Sequence, residues 1–269
     1  MTPLQAVVLA VVQGVTEFLP ISSSGHLILV PRLFGWPDQG LDFDVAIHAG
    51  TLLAVLVTFR RDLRDLAVGF LRGPEAAPGA DYDPRRLGWA LILGTVPAVA
   101  CGLALQEVIA TQARNPQLIA GTLIGYGLLL GVADRVGPQR RELTEVGLGA
   151  ALLIGCAQAL ALVPGTSRSG ATITAALLLG FTRPAAARFS FLLSVPVMLA
   201  AAALDAVDLA TGEVPAGRLG LMALGVAVSA VTGYLVIAGL LAWLRRRSLL
   251  PFVAYRLLLG TAILALWAY

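Results

Sequence analysis

The sequence predicts an all-α polytopic membrane protein, with six transmembrane helices plus two re-entrant helix pairs in an inverted-topology repeat, all in a single integral membrane domain over 1–269. Three observations predict it. The chain is 58% hydrophobic and 13% charged with a mean hydropathy of +0.84, whereas soluble domains carry about 25% charged residues. Six apolar segments, near 43–59, 87–108, 118–133, 185–204, 219–244 and 252–267, approach the roughly 20 residues that a bilayer crossing takes. Two more apolar stretches, 3–31 and 145–181, are broken near their middles by proline, glycine and serine.

The first broken stretch opens the chain. It lacks a basic leader and is interrupted by polar residues, so it reads as a helix pair rather than a cleaved signal peptide. Its irregular middle is tolerable at membrane depth only where it is buried in protein or lines a wet cavity. The span at 43–59 follows, and then a loop crowded with Arg60, Arg61, Arg64, Arg72, Arg85 and Arg86. The spans at 87–108 and 118–133 are joined by an arginine-poor loop around Arg114, and Arg135, Arg140 and Arg141 come after them. The second broken stretch at 145–181 leads to Arg183 and Arg188. The last three spans enclose an acidic loop around Asp205, Asp208 and Glu213, and a run from Arg245 to Arg247.

All four arginine clusters fall on one side of this arrangement. The positive-inside rule makes that side cytoplasmic, with both termini outside. The first helix pair then enters from outside and the second from the cytoplasm, as an inverted repeat of about 1–137 and 138–269 requires. Tyr126-Gly-Leu-Leu-Leu-Gly131 is echoed by Tyr255-Arg-Leu-Leu-Leu-Gly260 in the last span of each half.

The net charge of +3 comes from 19 arginines and no lysine. Their clustering between apolar segments marks topology and excludes a nucleic-acid partner. Cys101 and Cys156 have no CxxC spacing and read as buried structural thiols.

The two broken stretches carry the chemistry. Residues 13–26 read Gln-Gly-Val-Thr-Glu-Phe-Leu-Pro-Ile-Ser-Ser-Ser-Gly-His, and 163–172 read Val-Pro-Gly-Thr-Ser-Arg-Ser-Gly-Ala-Thr. Gln13 and Glu17 are four apart, on one helix face, and can address one ligand or metal. A charge at membrane depth costs at least about 2.5–3.5 kcal/mol, so Glu17 needs a partner or a wet pocket. Ser22, Ser23 and Ser24 lie where a new helix starts, and Ser22 reads equally as a helix cap. His26, one turn after Ser23, has a side chain suited to acid or base work. His48 reads as a core hydrogen-bonder.

Arg168 stands at a helix start, where the dipole disfavours a cation and favours an anion. Gly165, Thr166, Ser167, Ser169, Gly170 and Thr172 surround it and would form, with backbone N–H groups, a phosphate cradle. An internal Glu17–Arg168 ion pair is the competing reading.

Together the two motifs resemble the paired signature of the bacterial undecaprenyl-diphosphate phosphatases linked to bacitracin resistance. The resemblance implies hydrolysis of a polyprenyl diphosphate to its monophosphate at the outer face of the plasma membrane. It also implies a divalent metal, Mg2+ or Ca2+, and admits a homodimer. By position, it makes Ser23 the nucleophile candidate, His26 the family's histidine and Arg168 the phosphate-binding arginine. Ser167 and Thr172 match second-motif hydroxyls. The family's Glu/Gln-x-x-x-Glu pair falls on Gln13 and Glu17, and with glutamine in the first place Glu17 holds the ion together with the substrate's own diphosphate. The alternative from architecture alone is a secondary transporter or flippase of a polyprenyl phosphate. Membrane acid phosphatases with a histidine nucleophile need a second active-site histidine and a lysine that this chain does not supply.

Overall fold

A computed structural model describes residues 1–77, 79–105, 115–211 and 216–266. Among these residues the chain forms eleven α-helices: α1 Pro3–Thr16, α2 Ser23–Phe34, α3 Leu41–Thr58, α4 Arg60–Arg72, α5 Pro84–Ala104, α6 Pro116–Val136, α7 Leu148–Leu160, α8 Arg168–Leu178, α9 Arg183–Thr211, α10 Ala216–Leu244 and α11 Leu250–Leu266. Five of them contain stretches long and apolar enough to cross a membrane, at Leu41–Thr58, Pro84–Ala104, Pro116–Val136, Arg183–Leu204 and Gly217–Leu244. The sixth expected span is α11, which reaches 17 residues and is apolar but shorter. The arginine-poor loops expected around Arg114 and Glu213 lie outside the described residues, as do the side chains of Asp205 and Asp208.

Both broken stretches are helix pairs. α1 and α2 are 14 and 12 residues long, α7 and α8 are 13 and 11, and at about 1.5 Å per residue none crosses about 30 Å of hydrocarbon. α1 starts at a capping box, with the Thr2 side chain and Gln5 exchanging bonds ahead of Pro3. Its helical run stops before Pro20, which has no N–H to continue it.

α3 packs along α10, α1 along α10, α5 along α7 and α6 along α11. The α5–α7 contact is close because glycines meet there: a Cβ on Gly155 would collide with the Gly94 backbone. Small residues serve this purpose in membrane helix pairs, where dispersion replaces the hydrophobic drive. The largest apolar cluster lies between the two helix pairs and the arginine-rich end, around Phe18, Phe59, Phe181, Phe189 and Phe191.

That end is tied by ion pairs. Arg183 Nε donates to Asp134 Oδ1 at 2.5 Å, and Arg188 reaches Asp62 at 2.5 Å and Asp81 at 2.9 Å. At the opposite end Arg218 pairs with Asp42 at 3.1 Å. Two expectations are corrected. Residues 60–72, expected as part of an arginine-crowded loop, form a helix, α4, with arginines on one face. The two thiols are not buried: Cys156 is exposed on α7 and Cys101 partly exposed on α5, on faces an apolar solvent can cover.

Candidate functional site

The turns that follow α1 and α7 meet at the centre of the bundle. Glu17, at the end of α1, is 8% exposed, and the guanidinium of Arg168, the first residue of α8, donates to its Oε1 at 2.6 Å. Ser23, the first residue of α2, donates its hydroxyl proton to the other oxygen, Oε2, at 2.6 Å. Gln13, one turn back on α1, donates its amide to the same Oε2 at 3.1 Å. One carboxylate thus holds a serine hydroxyl and an arginine on its two oxygens. Gln13, Glu17, Ser23 and Arg168 form a single cluster, although residue 17 and residue 168 belong to different helix pairs.

The turns are strained alike. Ser22 and Ser167, the residues before α2 and α8, have φ of 74° and 72°, a region uncommon for non-glycine residues and typical of functional sites. Ser22 Oγ lies 3.2 Å from Ser24 Oγ, and Ser167 Oγ 3.2 Å from Ser169 Oγ. Ser22 Oγ caps no backbone N–H of its helix, whereas Ser167 Oγ accepts from Gly170 N–H at 3.1 Å.

Several of the groups expected to cradle a phosphate have partners within the protein. Gly170 N–H is taken by that cap and Thr166 N–H by Val163 O. Ser169 donates to Leu19 O at 3.1 Å, which ties one turn to the other. Thr172 bonds Arg168 O at 2.8 Å and lies 2.6 Å from Ser190 Oγ. These two hydroxyls hold the framework. Gly165 has φ +86°, and a Cβ there would run into Thr122 Oγ1 and the Ile119 backbone, so only glycine lets the turn lie against α6. Thr166 is fully buried, and its hydroxyl has no partner among the described residues.

His26 follows Ser23 by one turn, but its ring bonds elsewhere. Its Nδ1 is 2.6 Å from Ser22 O, and its Nε2 is 2.6 Å from the Tyr255 hydroxyl on α11. A carbonyl only accepts, so Nδ1 carries the proton, and in the neutral ring Nε2 accepts from Tyr255. His48 is a hydrogen-bonder as expected, with Nδ1 2.7 Å from Asp44 O, but not a core one. Its side chain is 45% exposed, and Nε2 lies 4.0 Å from Glu17 Oε2, beside the cluster rather than in the core.

Sequence reasoning missed the residue beneath both turns. Arg256 on α11 is fully buried and donates to five carbonyls: Leu123 and Thr122 on α6, Pro20 in the first turn, and Gly165 and Thr166 in the second, at 3.0–3.2 Å. No carboxylate pairs with it among the described residues. The available signal was an arginine inside an apolar segment, itself a mark of function.

As for a metal, no group of three His, Cys, Asp or Glu side chains clusters among the described residues. The buried oxygen Gln13 Oε1 is nevertheless unpartnered beside Glu17. One carboxylate and one amide oxygen are hard donors of the kind Mg2+ and Ca2+ take, with phosphate oxygens completing the shell.

A family model described as bacitracin resistance protein BacA matches residues 6–262. The chain is 52% identical over 265 residues to an undecaprenyl-diphosphatase of Geobacter metallireducens, covering 98% of both chains. It is 55% identical over 266 residues to an undecaprenyl-diphosphatase of Chromohalobacter salexigens, covering 97% of both. A third relative, undecaprenyl-diphosphatase 2 of Stutzerimonas stutzeri, is 50% identical over 272 residues, with 98% of each covered.

Proposed function

The chain belongs to the bacitracin resistance protein family and is an integral membrane undecaprenyl-diphosphatase, and we propose that Gln13, Glu17, Ser23, His26 and Arg168 carry its chemistry. It hydrolyses undecaprenyl diphosphate to undecaprenyl phosphate and inorganic phosphate, the step that returns the lipid carrier to cell-wall synthesis and confers bacitracin resistance.

The observation that carries the site assignment is the Glu17 carboxylate, with Ser23 on one oxygen and Arg168 on the other, both at 2.6 Å. A base, a nucleophile and an anion-binding cation are within reach of one phosphorus. In this reading Arg168 and the second turn bind the terminal phosphate. Ser23 Oγ attacks its phosphorus while its proton passes to Glu17 Oε2. The bond from phosphorus to the bridging oxygen breaks, and the electron pair leaves on undecaprenyl phosphate. Water then attacks the phosphoserine phosphorus, Ser23 Oγ leaves and takes back the proton from Glu17, and inorganic phosphate departs with the water oxygen while one of the water protons passes to solvent. His26 anchors the start of α2 through Ser22 O and Tyr255. Glu17 and Gln13 would hold a Mg2+ or Ca2+ ion, whose charge would stabilise the bridging oxygen that leaves on undecaprenyl phosphate.

The same reading keeps the re-entrant pairs and the inverted repeat. Exchanging the halves turns the α1–α10 contact into α7–α5, while α6–α11 maps onto itself, as a two-fold repeat requires. The arginine-rich end is assigned to the cytoplasm by the positive-inside rule. The site then opens outward in the plasma membrane, with both termini outside. The cavity lined by Ser24, Arg32, Trp36 and His48 faces that outer end. A homodimer is checked by light scattering in detergent.

The test is phosphate release from undecaprenyl diphosphate by wild type, Glu17→Ala and Arg168→Ala, with and without Mg2+ or Ca2+. Loss in both variants, with intact folding, is expected. Retained release in either variant would remove that residue from the site.

A further inference from the structure

Gln158, near the end of α7, is 2% exposed, and both its amide nitrogen and oxygen lack partners among the described residues. Buried amides are almost always bonded, so this one calls for an explanation. The two helix pairs supply it. Gln13 precedes Ser22 by nine residues, and Gln158 precedes Ser167 by nine. Gln13 donates to Glu17, five residues before Ser22. The residue five before Ser167 is Leu162. Gln158 therefore occupies the place of Gln13 in a half from which the carboxylate is missing, and its amide is left for something that is not protein.

Gln158 belongs to the wall of a cavity of about 170 Å³ between α5, α7 and α9, shared with Arg168 and otherwise with apolar side chains such as Val99, Leu103, Leu162, Val197 and Leu204, and its amide atoms are closed off from that space. One charged end and an apolar body match the substrate at the point where its phosphate meets its hydrocarbon. Arg168 also reaches Glu17 on the other side, so the cavity adjoins the reacting centre.

We propose that this cavity receives the first isoprene units of the lipid, and that the Gln158 amide N–H donates to the phosphate that stays on the lipid after cleavage. This rests on the site reading above and extends it: Arg168 and the second turn hold the phosphate that leaves, and Gln158 holds the one that remains. The amide, closed off in this state, turns toward the cavity and gains its bond only when substrate or lipid product is present. A hydrogen bond to a charged phosphate of this kind changes affinity by about tenfold.

The experiment uses the purified full-length protein in detergent and measures binding of farnesyl phosphate and of inorganic phosphate by calorimetry, which needs no turnover. Gln158→Leu removes the amide at similar volume. Leu103→Trp fills the cavity from an exposed position. Both variants are expected to weaken farnesyl phosphate by about tenfold and to leave inorganic phosphate unchanged. Because an unsatisfied buried amide is being removed, Gln158→Leu should keep or raise the melting temperature. Wild-type affinity of both variants for farnesyl phosphate, an equal loss for both ligands, or a lowered melting temperature in Gln158→Leu would overturn the proposal. Arg168→Ala separates it from the site reading. If that variant loses inorganic phosphate while the other two keep farnesyl phosphate, only the Gln158 assignment falls. If Arg168→Ala binds inorganic phosphate as wild type does, the site reading itself falls.

Discussion

Replacing Arg256 with methionine should uncouple the two turns. Three of its five acceptors, Pro20 O, Gly165 O and Thr166 O, lie in turns where no helix supplies another donor. Leaving a buried acceptor unsatisfied costs about 1–3 kcal/mol. Against this, the variant no longer buries a guanidinium without an acid partner, which is itself unfavourable. The two effects offset each other in part, so the fall in stability is expected to be moderate.

Activity has no such compensation. Pro20 lies three residues from Ser23, and Thr166 lies two from Arg168. A displacement of about 1 Å between reacting groups costs on the order of 10²-fold in rate. Arg256→Met is therefore expected to lower kcat for phosphate release about a hundredfold at temperatures well below its melting transition. Arg256→Lys keeps the charge but replaces the planar five-donor fork with three donors at one point, so it should fall between methionine and wild type. The assay is phosphate release in detergent beside thermal unfolding. A methionine variant with kcat within about twofold of wild type would refute the idea that Arg256 sets the geometry of both turns.

Gly165→Ala should impair folding and activity together, because the new Cβ meets Thr122 Oγ1 and Ile119 at a φ of +86°. The check is yield of monodisperse protein and phosphate release, with Gly121→Ala, where a Cβ meets nothing, as the comparison that stays near wild type. Tyr255→Phe deletes the hydroxyl on His26 Nε2 and should cost about 1 kcal/mol of stability, read from unfolding, with kcat reduced less than in Arg256→Met. Asp81 is two-thirds exposed, and the hydrogen bond from Arg188 holds its carboxyl below the usual range. The stabilisation from a lowered carboxyl is present above its ordinary value and lost as pH falls through the lowered one. Melting curves of wild type and Asp81→Asn should differ slightly at neutral pH and converge in acid. A constant difference across pH would contradict the pairing.

Much of this architecture was legible because a bilayer is a severe solvent. Apolar runs of spanning length, and two runs broken by Pro20 and by Pro164-Gly165, leave few arrangements open. Glu17 and Arg168 stood out for the same reason, as charges that need partners at depth. Less legible was anything decided by direction rather than spacing. His26 sits one turn from Ser23, yet its ring points to Ser22 O and Tyr255. Arg256 was noticed only as one letter in a repeat, since nothing in a sequence says which carbonyls a guanidinium will meet. His48 and Gln158 look like ordinary residues of apolar helices until the packing sets one beside Glu17 and leaves the other without a partner. The helix at 60–72 was hidden because its arginines had been counted as topology.

The two roles given to Glu17 pull in opposite directions, and this makes them separable. Without substrate, Arg168 spends a hydrogen bond on Glu17 Oε1, and an arriving diphosphate must win that guanidinium from the carboxylate. If this exchange is the first event of binding, Glu17→Gln frees Arg168 in advance. Without divalent metal the variant should then bind undecaprenyl diphosphate more tightly than wild type, by up to about tenfold, while releasing no phosphate. If Glu17 also holds a Mg2+ or Ca2+ ion against the diphosphate, adding metal should strengthen binding to wild type more than to Glu17→Gln and remove the advantage. Binding measured with chelator and then with saturating metal reads both effects in one pair of proteins. Weaker binding by Glu17→Gln in chelator would show that Arg168 is not held in reserve by Glu17, and the carboxylate would then have to contribute to substrate affinity by a route other than the ion pair.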